Sequence, residues 1–220
     1  MNNDNLNKLK KSFPKIIDIS GRGEFFNSSV LIPLILIKEE YYFIFQKRSK
    51  NISQAGEICF PGGKIDPAID KDSQETALRE TYEEFSIRKE KINIIGRMNT
   101  VFSPIGAMVD GYVGILNIKD LQEIKINISE VQYIFTVPVS FFEKNKPEKY
   151  YVNIKAHPSI IDSNGKETLL LPYDELNLPK IYSKPWGNYK HSIYAYKYKE
   201  EVIWGLTARF IFDIIEILKN

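Results

Sequence analysis

The stretch Arg79-Glu80-Thr81-Tyr82-Glu83-Glu84 places three carboxylates within five residues. At about 100° per residue, a helix gathers Glu80, Glu83 and Glu84 on one face and leaves Leu78, Thr81, Tyr82 and Phe85 as the opposite, anchoring face. Like charges at i, i+3 and i+4 gain a helix nothing, and two unit charges about 4 Å apart repel by roughly 4 kcal/mol at an effective dielectric near 20. A counter-ion removes that repulsion. Carboxylate oxygens are hard ligands that select Mg²⁺, Mn²⁺ or Ca²⁺, and Mg²⁺ usually takes one or two carboxylates together with waters and substrate phosphates. Arg79 is spaced to pair with and orient one of the acids. Upstream, Gly62-Gly63-Lys64 offers backbone N–H groups to an anion. A charge run on a helix is ordinarily a solvated face. The crowding, the glycine loop and Arg79 together point instead to metal-assisted chemistry on a phosphate-bearing substrate.

These residues need elements to hold them. Asp72 with Glu75 has the spacing of a capping box, so the helix opens at Asp72 or Ser73 and runs to about Phe85. Before it, residues 30–37 and 41–46 read as a β-hairpin across a polar turn, and a short apolar piece, Ile58-Cys59-Phe60, stops at Pro61-Gly62-Gly63. Strand-like segments follow at 92–95, 98–102, 109–115 and 134–137. Alternation over 192–199 and a return at 202–204 predict another hairpin. Phe210, Ile211, Ile214, Ile215, Ile217 and Leu218 then give a closing amphipathic helix. Residues 145–186, with five scattered prolines, read as loops that cap the sheet and shape a pocket. Residues 1–27 read as an N-terminal tail or docking helix, and residues 28–220 as one mixed domain without internal repeat.

The chain has 220 residues, 26% of them charged, with 30 Lys and Arg against 28 Asp and Glu, a formal net charge of +2. This excludes disorder and disfavours a nucleic-acid coat or an anionic membrane as partner. The single cysteine, Cys59, cannot close an intramolecular disulfide and reads as a core residue. No signal-peptide pattern opens the chain, and the longest apolar run, residues 30–37, carries Pro33 and is far short of the roughly 20 residues that span a bilayer. A cytoplasmic protein without membrane or nucleic-acid partners is the expectation.

Gly63 followed by Arg79-Glu80-Thr81-Tyr82-Glu83-Glu84-Phe85-Ser86-Ile87 resembles the Nudix box, G-x5-E-x7-R-E-U-x-E-E-x-G-U with U aliphatic. Fifteen residues separate Gly63 from Arg79 where the pattern has thirteen, Thr81 replaces an aliphatic residue, and Ser86 stands at the final glycine. Asp70, Asp72 and Glu75 are the candidates for the middle acid. The flanks, Ser29-Val30-Leu31-Ile32-Pro33-Leu34, Gly56-Glu57-Ile58-Cys59-Phe60-Pro61-Gly62-Gly63-Lys64-Ile65-Asp66-Pro67, Thr76-Ala77-Leu78 and Ile203-Trp204-Gly205-Leu206-Thr207-Ala208-Arg209, look like the coenzyme A pyrophosphatase branch. The upstream signature of that branch has a basic residue a few positions before Gly56, where this chain has Ile52, Ser53 and Gln54.

The resemblance implies an α+β Nudix fold, a mixed β-sheet sandwiched between helices. It implies hydrolysis of a nucleoside diphosphate linkage with Mg²⁺ or Mn²⁺, coenzyme A or acyl-coenzyme A giving 3′,5′-ADP and 4′-phosphopantetheine. Glu80 and Glu84 are then the principal metal ligands, Glu83 a ligand or the base, and Arg79 orients the acids. Arg48, Lys50, Gly62, Gly63 and Lys64 are candidates for substrate binding, and Glu130 for an additional acid from outside the box. Two other readings stand beside this one: hydrolysis of ADP-ribose, NADH, a dinucleoside polyphosphate or a nucleoside triphosphate, and a non-catalytic nucleotide-binding module. The partner is a small nucleotide diphosphate, and a homodimer is compatible with the sequence. His157 and His191 lack ligand spacing and read as loop residues or as satisfied polar groups; Tyr194, Tyr196 and Tyr198 read either as a base-stacking stripe or as sheet packing.

Overall fold

The computed structural model describes residues 19–219 together with Asp4, Asn5, Lys8 and Ser12, so most of the N-terminal tail lies outside the described residues. A 3₁₀ turn at Arg22–Glu24 leads into β1 (Phe26–Ile37), which forms the expected hairpin with β2 (Glu40–Arg48). Next come β3 (Ile58–Cys59), β4 (Gly62–Lys64), α1 (Ser73–Phe85), β5 (Ile92–Arg97), β6 (Val101–Ser103), β7 (Ala107–Leu116), β8 (Val131–Pro138) and α2 (Val139–Lys144). The chain ends with β9 (Glu148–Ala156), β10 (Ser159–Ile161), β11 (Glu167–Leu169), β12 (Trp186–Tyr198), β13 (Glu201–Trp204) and α3 (Gly205–Leu218). Among the described residues no helix is long and apolar enough to cross a membrane.

The main sheet is mixed. Its path is β3-β2-β1-β7-β5, with β4 on β1, β6 on β7 and β8 on β2, and the β1–β7 pair is the parallel one. The continuous apolar run of β1 is explained by burial on both faces. Leu31 and Ile35 pack with Ile44, Ala77, Phe85 and Tyr112 on the α1 side. Ile32 and Leu34 pack with Phe43, Phe45, Phe142, Phe210 and Ile211 on the α2 and α3 side. The result is the α/β/α sandwich that the sequence implies.

One detail of this sheet positions the site. β1 and β2 pair only near their hairpin, from Leu34 to Ile37, and then diverge. The chain from residue 58 to 64 fills the resulting fork. β3 pairs with β2, Leu31 donates its N–H to the Pro61 carbonyl at 2.9 Å, and β4 pairs with β1 over Ser28 to Val30. Pro33, which has no N–H to donate, falls between the last β4 partner at Val30 and the first β2 partner at Leu34.

Residues 145–186 differ from the expected loops. The prolines flank rather than interrupt β9, which pairs with β12 from Glu148 to Ala156, and β10 and β11 form a hairpin beyond it. β13, β12 and β9, in that order, make a second sheet, from which the β10–β11 hairpin is separate. The tyrosine stripe of β12 is packing: Tyr196 meets the edge of Phe142, Tyr198 that of Phe141, and Tyr194 stacks on Phe212. The closing helix α3 forms as read, with Phe210, Ile211 and Ile215 buried.

Candidate active site

α1 starts where the cap predicts. The Asp72 carboxylate accepts from the Glu75 N–H at 2.9 Å. The helix stops at Ser86, whose φ of 56° lies in the left-handed region that favours glycine, which is the conformation a final Gly in the box would serve. The two extra spacer residues are absorbed before the helix, in a turn where the Asp70 N–H donates to the Asp66 carbonyl at 2.8 Å and the Asp66 N–H to Asp70 Oδ2 at 3.1 Å. Arg79 through Glu84 therefore keep their helical register.

Of the three candidates for the middle acid, the one in that turn, Asp70, meets Arg79. Asp70 is buried and receives Arg79 Nε at 2.8 Å on Oδ1 and Arg79 Nη2 at 3.0 Å on Oδ2, with Thr76 Oγ1 at 2.9 Å. The Arg79 hydrogen bonds, against the cost of burial, hold the Asp70 carboxyl down at about 2, and Asp70 in turn holds Arg79 more firmly charged. Asp72 and Glu75 serve the helix end instead, and Glu75 reaches Lys89 at 3.8 Å. From Asp70, Arg79 extends Nη1 to Glu80 Oε1 at 2.8 Å and to Glu83 Oε1 at 3.2 Å.

The three glutamates do not share one environment, which corrects the single acidic face. Glu84 is 2% exposed and belongs to the buried side of α1 with Thr76, Ala77, Thr81 and Phe85. Glu80 is mostly covered, and the Glu83 side chain is 49% exposed. Tyr82, expected to anchor the helix, points outward at 53% exposure. Glu80 and Glu84 line a cavity of about 1650 Å³, and Glu130, Arg48, Gly62, Gly63 and Lys64 line it with them. Glu83, Arg79 and Lys50 are not among its walls.

Glu84 is held from below. Its Oε1 accepts from Gln46 Nε2 at 2.9 Å and its Oε2 from the Gly62 N–H at 3.0 Å. Burial outweighs both bonds and pushes its carboxyl up to about 7, with Glu80 and Glu130 adding to the rise. Glu80 is also raised, by burial first and by the charges of Glu83 and Glu130, against the opposing pull of Arg79. The glycines give room for this. A Cβ on Gly63 would stand 2.3 Å from Glu80 Oε1, and one on Gly62 would stand 2.3 Å from the Ser29 carbonyl.

Among the described residues no three His, Cys, Asp or Glu side chains converge into a ready-made three-ligand centre. Both Glu84 oxygens are already engaged, while Glu80 has one oxygen on Arg79. The donor set fits a hard cation that takes one or two carboxylates and completes its shell with water and phosphate, and does not fit a closed protein cage.

Arg48 donates its Nε to the Ser53 carbonyl at 2.9 Å, which holds it at the wall. Glu130 accepts from Asn127 Nδ2 at 3.3 Å. Cys59 accepts from Gln46 Nε2 at 3.5 Å, and burial pushes its thiol up to about 11, so it stays protonated. Gln46 is a participant that the residue reading passed over; its signal is a polar residue closing the apolar run Phe43-Ile44-Phe45. Of the two alternatives for His191, the loop does not hold: it lies in β12, where it lines the cavity beside Tyr189.

With these carboxylates, glycines and sheet in place, the family follows from comparison: the NUDIX domain model matches residues 26–180, and the chain belongs to the Nudix family. It is a hydrolase of diphosphate substrates, and Nudix hydrolases generally use divalent metal ions. Nudix hydrolase 3 of Caenorhabditis elegans is 29% identical over 195 residues, 86% of this chain and 72% of that protein. The peroxisomal coenzyme A diphosphatase NUDT7 of Mus musculus is 36% identical over 124 residues, 56% of this chain, which spans 50% of that protein's length. The solved structure of a C. elegans Ap4A hydrolase binary complex aligns at a TM-score of 0.44 and 20% identity, over 54% of this chain and 84% of that one.

Proposed function

We propose that the protein hydrolyses the diphosphate linkage of coenzyme A or an acyl-coenzyme A, giving 3′,5′-ADP and 4′-phosphopantetheine. The observation that carries the chemistry is that Glu80, Glu84 and Glu130 line one cavity with Gly62 and Gly63, near enough for the charge of Glu130 to act on both other acids. The coenzyme A assignment draws support from residues 56–67 and 203–209, which look like that branch, and from the 36% identity to a coenzyme A diphosphatase.

When bound, Mg²⁺ or Mn²⁺ supplies neutralisation of phosphate charge and an acidified water for attack. Glu80 and Glu84 are its proposed holders, and Glu83 a ligand or the base. Glu130 is a further acid at the same wall. Arg79 acts through Glu80: its guanidinium, fixed by Asp70, sets the direction of that carboxylate. Gln46 and the Gly62 N–H do the same for Glu84. Arg48 and Lys64 face the phosphates as cations, and the bare glycine backbone lets the diphosphate approach.

Incubation with Mg²⁺ or Mn²⁺ and a panel of coenzyme A, acyl-coenzyme A, NADH and ADP-ribose, with products weighed by mass spectrometry, tests this. Coenzyme A forms should give the two named products fastest. A preference for coenzyme A lacking its 3′-phosphate would overturn the substrate ranking.

A further inference from the structure

Trp204 ends β13 and occupies the position before α3 in extended backbone, with φ −139° and ψ 178°. Two constraints fix it. Strand pairing sets it opposite Ala195, and the chain turns into the helix at Gly205, whose φ of 63° is one that side-chain-bearing residues rarely adopt. Its relation to the carboxylates is built as well. In the first turn of α3, Thr207 Oγ1 donates to the Ile58 carbonyl at 3.2 Å. Ile58 opens β3, which pairs with β2 at Gln46, and Gln46 is the residue that holds Glu84.

Trp204 is 43% exposed and lines the same cavity as Glu80 and Glu84. Other rings in this part of the chain are spent on one another: Trp186 against Tyr182, Tyr194 on Phe212, Tyr196 against Phe142 and Tyr198 against Phe141. Among the described residues, Trp204 has neither a ring partner nor a cation over its face. Arg209, which lines the cavity too, gives its Nε to Asp213 at 2.9 Å and lies over the Tyr194 ring. An indole without a ring partner, on the cavity that Glu80 and Glu84 also line, suits a flat aromatic ring, and every nucleobase presents one.

We infer that Trp204 stacks on the nucleobase of the substrate and so makes the site select nucleotide diphosphates over diphosphates in general. The inference rests on the hydrolytic reading of the site and assigns Trp204 to binding, away from the reacting atoms.

The chain has two tryptophans, so Trp186→Phe leaves Trp204 as the sole indole and Trp204→Phe leaves Trp186. AMP with Mg²⁺, which has no phosphoanhydride to cleave, is titrated into both variants while equilibrium dialysis follows occupancy. Emission of Trp186→Phe should be quenched in step with occupancy, and that of Trp204→Phe should stay constant. Occupancy without quenching in Trp186→Phe overturns the inference. In kinetics, Trp204→Leu should lower kcat/KM on a nucleotide diphosphate by about 10- to 100-fold, chiefly through KM. On an abasic ribose diphosphate ester it should change by less than twofold. Equal loss on both substrates, or no loss on either, overturns the inference. A wild-type protein that cleaves no diphosphate breaks the hydrolytic reading instead, and the quenching experiment still reports where the base sits.

Discussion

Glu84 and Tyr189 line one cavity from regions built in opposite ways. Around Glu84 the polar groups interlock. Gln46 and Gly62 hold Glu84, and Asp70 holds Arg79, which holds Glu80 and Glu83. Around Tyr189 the second sheet is open: every residue of β9 except Ile154 is exposed, as are Tyr150, Tyr151, Val152 and Tyr189 themselves. The interlocked end has one geometry and little freedom to relax, as chemistry on a phosphorus atom demands. The open end can lose a side chain without leaving a buried group stranded. Substitutions should therefore be costly at one end and mild at the other.

The largest effect on stability is expected from Asp70→Asn, which removes the paired carboxylate bonds to Arg79 and leaves its guanidinium with Glu80 and Glu83 alone; it should cost about 2–3 kcal/mol at pH 7, read by denaturant unfolding. Asp70 is held at about 2, below its ordinary 3.8, so its contribution is present above 3.8 and fades as pH falls through about 2. Lys155→Gln, in the exposed β9, is the matching change at the open end and should move stability by less than about 0.5 kcal/mol. Equal losses would erase the contrast.

Next, Glu84→Gln should reduce turnover by about 10²- to 10³-fold. Glu84 is raised to about 7 from its ordinary 4.5, so the folded state holds the proton more tightly than the unfolded chain. In chelator, the stability of the wild type should fall as pH rises from about 4.5 to about 7, and that of Glu84→Gln should lack this decline. Identical pH profiles would show that Glu84 carries no desolvation cost.

The adjacent glycines sharpen the contrast within the interlocked end. Gly62→Ala drives a methyl into the Ser29 carbonyl and the Val30 Cα, at 2.3 and 2.7 Å, and should cost about 1–3 kcal/mol of stability. In Gly63→Ala the atoms nearest the added methyl belong to the movable Glu80 carboxylate, so kcat should fall about tenfold with unfolding nearly unchanged. The smallest effect belongs to Ser86→Gly, which relaxes a left-handed residue and should add less than about 1 kcal/mol, reduced by the lost bond from Ser86 Oγ to the Lys125 carbonyl at 3.0 Å.

What the sequence made legible follows the same division. Apolar runs, a cap and an amphipathic repeat are local signals, and they placed β1, β2, α1, the β12–β13 turn and α3 to within a few residues. The glycines and the acids of α1 were legible as chemistry because their spacing is also local. The different surroundings of Glu80, Glu83 and Glu84 were not, because they depend on which strand covers α1: β2 and β4 reach Glu84, and the covering stops short of Glu83. Asp70 could be named among candidates but not chosen, since its choice rests on how the loop before α1 closes. β9 through β11 were hidden for a different reason. Exposed strands such as β9 have no burial to impose alternation, and the prolines between them dominated the reading.

The fork between β1 and β2 has a consequence for how this site can vary. One of the two bonds that hold Glu84 comes from the main chain of Gly62, and no exchange of side chain at that position can delete an amide hydrogen short of proline. A change in length can remove it. A single residue gained or lost between Cys59 and Gly62 would leave every acid of α1 in place and still move that donor out of reach, so this one support of Glu84 survives the loss of any side chain and is brittle to the smallest insertion or deletion.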